Sequence, residues 1–205
     1  MKKADDNMKR LWVTGYRSYE LNVFKDKDPK VKVFKSVMKD QISQAVINGF
    51  TWFITGAQLG VEQWFVEDAT SLKKKYSHQY QIAVMEPFAH FGNRWGDRNQ
   101  IRLAKTIKRA DFSRPVSNSG YTSPQQLFNY QAFMLNHTDA ALLIYDSDYP
   151  GKTKYDYTKI NQYAKNHQYP LTTITMDDLE DAAEDYEAAY REKHRGDLQR
   201  KQHLL

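Results

Sequence analysis

The segment Phe53-Ile54-Thr55-Gly56-Ala57-Gln58-Leu59-Gly60-Val61-Glu62-Gln63-Trp64 holds the residue types and spacing best suited to chemistry. An apolar run ends at one glycine, a second glycine comes shortly after, and a helical pattern opens with an acid in its first turn. Glycines there let the backbone turn sharply and approach a bound group closely. The free N–H groups of the next helix attract an anion. The spacing is neither GxGxxG nor a P-loop, because no Lys-Ser/Thr pair follows the second glycine. Glycines that only shape a tight turn would give the same string. Glu62 also has two readings. A carboxylate in a first helical turn is favoured by the helix dipole, and the same group can accept from ribose hydroxyls or serve in acid–base catalysis.

Polar residues recur where the other apolar runs stop. The first ends in Thr14-Gly15-Tyr16-Arg17, the third in Glu86-Pro87-Phe88, and the run from Ala140 in Asp146. Parallel sheets bind ligands outside the carboxyl ends of their strands, so these residues are expected around one pocket. Backbone amides from Gly56 through Ala57 and Gln58 to Gly60 would hold phosphate or ribose. Arg17 would neutralise negative charge, although a surface salt bridge is its plainer role. Tyr16, Phe88 or Trp95 would cover a base, and Trp95 suits stacking because it falls in a loop. Glu62 and Glu86 are the candidate catalytic acids.

These residues must be positioned by alternating strands and helices. Leu11–Thr14, Thr51–Thr55, Gln81–Met85, Ala140–Tyr145 and Leu171–Thr175 read as strands. Helical spacing covers about 31–48, 61–76, 98–110, 125–136 and 157–166. The Ser-, Asn-, Gly- and Pro-rich stretch 114–124 reads as a loop. Nearly continuous apolar strands separated by helices predict an α/β, Rossmann-like three-layer sandwich with a mostly parallel sheet. The expected domain covers 8–178, preceded by a polar leader at 1–7 and followed by a charged helical tail at 179–205. In the tail, acids come first and bases later, as a helix dipole favours, and Glu187 and Arg191 have ion-pair spacing.

With 205 residues, 40% hydrophobic and 14% aromatic, the chain can bury one sizeable core. It has no cysteine, which excludes a disulfide framework and a thiolate metal site and fits a reducing cytoplasm. Its six histidines lack paired ligand spacing, so no metal site is expected. No GxSxG elbow appears. No apolar run reaches the ~18 residues of a membrane span. The net charge of +5 permits anion binding without specifying it. Arg98, Arg102, Lys105 and Arg109 share one helical face, which is either a solvated surface or a track for single-stranded nucleic acid. The oligomeric state stays open, with a homodimer among the options.

Taken together, the sequence resembles the YpsA family of bacterial proteins, within the SLOG superfamily of Rossmann-like domains. The likeness rests on TGYR (14–17), GAQLGVE (56–62), EPF (86–88), Trp95, YTSPQQLF (121–128), LLIYD (142–146) and ITMDDL (174–179). It implies a Rossmann-like sheet and a nucleotide or nucleotide-derived ligand over the glycine loop. With the residues above, the expected role is a sensor or regulator that binds such a ligand, NAD and ADP-ribose derivatives included. Superfamily relatives include nucleotide phosphoribohydrolases, which cleave an N-glycosidic bond, and DprA, which binds single-stranded DNA. The phosphoribohydrolase-like members carry PGGxGTxxE, in which a threonine helps to hold phosphate. Gln58-Leu59-Gly60-Val61 lacks that threonine and the paired glycines. Where those enzymes place an arginine, before the last core strand, this chain has Tyr130 and Gln131.

Overall fold

The computed structural model describes residues 8–25 and 27–202; the expected leader at 1–7 and the tail residues 203–205 lie outside it. Six parallel strands form one sheet: β1 (Lys9–Gly15), β2 (Phe50–Thr55), β3 (Gln81–Glu86), β4 (Phe112–Pro115), β5 (Ala140–Ile144) and β6 (Leu171–Ile174). Their spatial order is β4-β3-β2-β1-β5-β6. The helices between and after them are α1 (Pro29–Ile47), α2 (Val61–Leu72), α3 (Asp97–Arg109), α4 (Gln125–Asn136), α5 (Lys154–Ala164) and α6 (Met176–Gln202).

The chain steps outward from β1 to β4, then crosses back to build β5 and β6 on the other side of β1. Right-handed crossovers place helices of opposite step direction on opposite faces of a sheet. Accordingly α1 packs on α2 and α2 on α3, while α4 packs on α5. α6 returns to cover α1. The result is the three-layer α/β sandwich expected from the alternating pattern.

Local sequence explains where elements start and stop. Asp28 caps α1 by accepting from Lys30 N at 3.0 Å, with Pro29 in the first turn. Gly49, at φ +82°, lies just past its end. α6 opens with a reciprocal cap: Thr175 N donates to Asp178 Oδ2 at 2.8 Å, and Asp178 N donates to Thr175 Oγ1 at 3.2 Å. The bonds from Thr175 hold the Asp178 carboxyl below its ordinary pKa. β4 is the strand that the sequence pattern hid. It is a four-residue edge strand, FSRP, and its Arg114 and Pro115 fall in the stretch that reads as a loop. An edge strand tolerates a proline and needs no apolar alternation.

The core is built on the sheet's central strands. Trp12, Phe53, Ile82, Leu143 and Ile144 are fully buried there. Phe53 meets Phe65 edge-on at 5.6 Å between ring centroids and Tyr80 at 4.8 Å. The Tyr80 hydroxyl donates to Ala69 O at 2.6 Å, so its polar end is satisfied inside the core. Among the described residues no helix is long and apolar enough to cross a membrane.

Replacing Phe53 with alanine should destabilise the domain by roughly 3–5 kcal/mol, the usual cost of emptying a phenylalanine site. Denaturant unfolding followed by tryptophan fluorescence would measure this; a loss below ~1 kcal/mol would mean that the centre is not where the strands place it.

Candidate functional site

Two loops at the carboxyl edge are clamped together. Ser18 N donates to Leu59 O and Val61 N to Tyr16 O, each at 3.2 Å, so that Arg17 pairs with Gly60 in a short antiparallel bridge. Gly60 sits at φ +104°, and a Cβ there would collide with the backbone of Tyr16, Arg17 and Ser18. Only glycine allows both that conformation and that approach. The clamp brings Arg17 against the turn that leaves β2.

Glu62 lies in the first turn of α2 and is only 3% exposed. Its Oε1 accepts from Thr14 Oγ1 at 2.7 Å and its Oε2 from Gln58 N at 2.7 Å. Burial raises its pKa; the Arg17 charge and these two bonds pull it down, and Asp156 pushes it up again. Asp156, near the start of α5, accepts from Gln131 Nε2 of α4 at 2.7 Å. Its pKa is likewise raised by burial and opposed by Arg17. Beside the Glu62 carboxylate lies the Tyr130 hydroxyl, buried and without a hydrogen-bond partner. Burial, then the charges of Glu62 and Asp156, put its pKa well above that of an ordinary phenol. Gly56 passes close to both groups: a Cβ there would overlap the Glu62 carboxylate and stand 2.7 Å from the Tyr130 hydroxyl.

These residues face a cavity of about 500 Å³. Its floor is Glu62, Tyr130, Gln131 and Asp156, with Gly56, Ala57 and Gln58 along one side. Arg17 and Lys152 supply positive charge, and Tyr19, Phe128 and Tyr155 ring the mouth at 47%, 54% and 59% exposure. Glu20 ties two of the walls together, accepting from Arg17 N at 2.8 Å and from Lys152 N at 2.6 Å. The arrangement offers hydrogen-bond acceptors at the bottom, cations at the side and flat rings at the entrance.

Of the residues expected from sequence, Arg17, Gly56, Ala57, Gln58 and Glu62 line this cavity. Thr14 stands behind it as the donor that orients Glu62. Gly15 lies beneath the clamp, where a Cβ would press on Val61 and Ile144. Tyr16 is buried and structural: its hydroxyl donates to Tyr149 O at 2.6 Å and accepts from Asp146 N at 2.7 Å, and burial pushes its pKa up to about 12. Asp146 accepts from Asp148 N and Met176 N, fixing the turn after β5 and the start of α6.

Glu86 is half-buried at the end of β3, with its pKa raised by burial, and its neighbour Pro87 lines the cavity instead. Phe88 and Trp95 pack against Phe91 at 5.4 and 5.1 Å, in a cluster beside the site rather than over it. The expected amide cradle is also partly committed, because Gln58 N points to Glu62 and Val61 N to Tyr16. The α3 stripe borders a separate cavity of about 300 Å³, where Glu67 pairs with Lys35 at 2.7 Å and Arg109 at 3.8 Å.

Tyr19, Lys152, Tyr155 and Asp156 belong to the site but to no motif in the sequence, and Tyr130 and Gln131 stood out there only as a departure from one. A signal existed. Asp156 precedes the buried Ile160 by one turn, and Gln131 precedes the buried Leu135 likewise. A polar residue on the core-facing stripe of a helix needs a partner or a purpose.

Fold and site together define a Rossmann-like α/β protein with a cleft at the carboxyl edge of its sheet and a buried acidic centre. The chain belongs to the YpsA family: the family model described as the YspA SLOG family matches residues 11–179. It is 49% identical over 179 residues to a "UPF0398 protein" of Lactiplantibacillus plantarum, covering 87% of this chain and 94% of that one. It is 50% identical over 189 residues to a "UPF0398 protein" of Lacticaseibacillus casei, covering 92% and 98% respectively.

The buried acid gives a signed pH prediction. The folded-state pKa of Glu62 is raised, so the folded protein holds this proton at pH values where the unfolded chain, near ~4.3, has lost it. Stability from this group therefore falls as pH rises through that window and stays reduced above it. Glu62→Gln keeps the Gln58 contact and escapes the penalty. Its melting temperature should exceed the parent's at pH 8 by roughly 2–4 °C per kcal/mol relieved, and the gap should narrow toward pH 5. Thermal melts across that range showing a gap that widens on acidification would reverse the assignment.

Proposed function

We propose that the cavity binds a nucleotide or nucleotide-derived ligand and that the protein acts as a sensor or regulator through it. The observation that carries this reading is the joint presence, in one cleft, of exposed rings, two cations and a buried set of hydrogen-bonding groups. A base would stack on Phe128 or Tyr155 at the mouth. Arg17 and Lys152 would face phosphate, and sugar hydroxyls would reach the acids below. Pockets that combine apolar walls with a few convergent polar groups are the usual form of a small-molecule site.

A second reading has its own support. Two buried carboxylates with raised pKa values beside one cavity are a pattern used for acid–base work. Cleavage of an N-glycosidic bond is the reaction this pair would serve, with Glu62 or Asp156 stabilising the oxocarbenium-like state. Free base released from a nucleoside monophosphate, and lost in Glu62→Gln, would support it; intact binding without release would reject it.

Isothermal calorimetry against nucleotides, cyclic nucleotides and NAD derivatives tests the main reading. At least one class should bind below millimolar Kd, and Arg17→Ala should weaken it by about tenfold or more, the loss of one charge-assisted contact. Silence from the whole panel at millimolar concentration would overturn it.

A further inference from the structure

We infer that the floor of the cavity reads a vicinal diol, so that the group held deepest is a ribosyl sugar and not its 2′-deoxy counterpart. This rests on the nucleotide reading above and adds which part of the ligand enters first. Three groups from three helices support it: Glu62 of α2, Tyr130 of α4 and Asp156 of α5.

Each of the three has hydrogen-bonding capacity left over. Glu62 spends one bond on Thr14 and one on Gln58 N, and a carboxylate has about four acceptor sites. Asp156 accepts from Gln131 through Oδ1 and lines the same cavity. The Tyr130 hydroxyl can both donate and accept, and it does neither. A buried hydroxyl without a partner is uncommon in a folded protein and calls for an explanation. A ligand group arriving between the acids supplies one.

Charge selects what that group can be. The floor presents two buried acids, while the cations of the lining, Arg17 and Lys152, are less buried. A phosphate placed here would meet two carboxyl groups, and the Gln58 amide, which would otherwise receive it, already donates to Glu62. Sugar hydroxyls meet neither obstacle. Two neighbouring hydroxyls can donate one to Glu62 and one to Asp156 while accepting from Tyr130. The phosphate then falls at the height of Arg17 and Lys152, and the base at the ring of exposed aromatics.

The test is paired calorimetry on the full chain with AMP and 2′-deoxy-AMP, and with ribose 5-phosphate and 2-deoxyribose 5-phosphate. A site built to hydrogen-bond a hydroxyl discriminates strongly against the analogue that lacks it, so each ribo compound should bind about tenfold tighter or more than its deoxy partner. Tyr130→Phe and Asp156→Asn should each remove most of that preference. Tyr130→Phe deletes only an unpartnered hydroxyl, so its melting temperature should match or exceed the parent's, which keeps the test independent of folding. Equal affinity for ribo and deoxy members of a pair, or a preference that survives both substitutions, would overturn the diol assignment while leaving the nucleotide reading standing. If none of the four binds while other members of the nucleotide panel do, the diol assignment alone falls. If the whole panel fails, both fall.

Discussion

The site depends on one buried carboxylate. Glu62 is gripped on one oxygen by Thr14 at the end of β1 and on the other by the Gln58 amide in the β2–α2 turn. It therefore joins two strands and a helix start at the carboxyl edge. Glycine turns ahead of helices commonly direct their amides at a ligand's phosphate. Here one of those amides is directed at the protein's own acid. The turn still provides an anion site, and the anion belongs to the chain. The polarity of the cleft is a consequence, with the acids buried and positive charge left to the less buried Arg17 and Lys152.

Holding that acid has a cost, and the direction of its pKa shows which effect prevails. Removing a carboxylate from water costs several kcal/mol even after relaxation. The Arg17 charge offsets part of that cost, and it is shared between Glu62 and Asp156. The raised pKa of both acids says that desolvation wins over this shared attraction. A chain selected for stability alone would place amides or apolar groups at these positions. Destabilising groups that persist at a cleft are characteristic of functional sites, where stability is given up for binding or catalysis.

Much of this was legible in the sequence, for identifiable reasons. Strands β1, β2, β3 and β5 lie inside the sheet with helices over them, so their apolar runs stand out without alternation. β6 is an edge strand with two exposed threonines, and its β-branched residues marked it instead. β4, at the other edge, stayed hidden because four residues that include Arg114 and Pro115 carry neither sign. On the site, the residues adjoining the glycine loop could be identified because the loop, the strand before it and the helix after it are contiguous. Tyr16, Phe88, Trp95 and Asp146 sit at the right end of the sheet, but their side chains turn into packing or hold turns together. A strand end fixes a residue's height in the fold and not its direction. The opposite wall was harder still. Tyr130 and Asp156 come from helices far along the chain, and only their polar character on buried stripes betrayed them.

Topology explains why the second wall had to be distant. The sheet grows outward from β1 in one direction through β4, then in the other through β5 and β6. The crevice where the direction reverses lies between β1 and β5, and open α/β sheets place ligands there. One side of that crevice is made early, by the turns after β1 and β2. The other side can be made only after the crossover, by α4 and the start of α5. Neither half forms a cleft alone. Glu20 fastens them by accepting from Arg17 N on the early side and Lys152 N on the late side. By Asp156 all the lining residues are in place. Beyond it the chain closes the sheet with β6 and docks α6 on α1. The family match ends at Leu179, which is also the last buried residue described in α6. The charged remainder of that helix, including the exposed Glu187–Arg191 pair at 3.0 Å, extends from a site that is already complete.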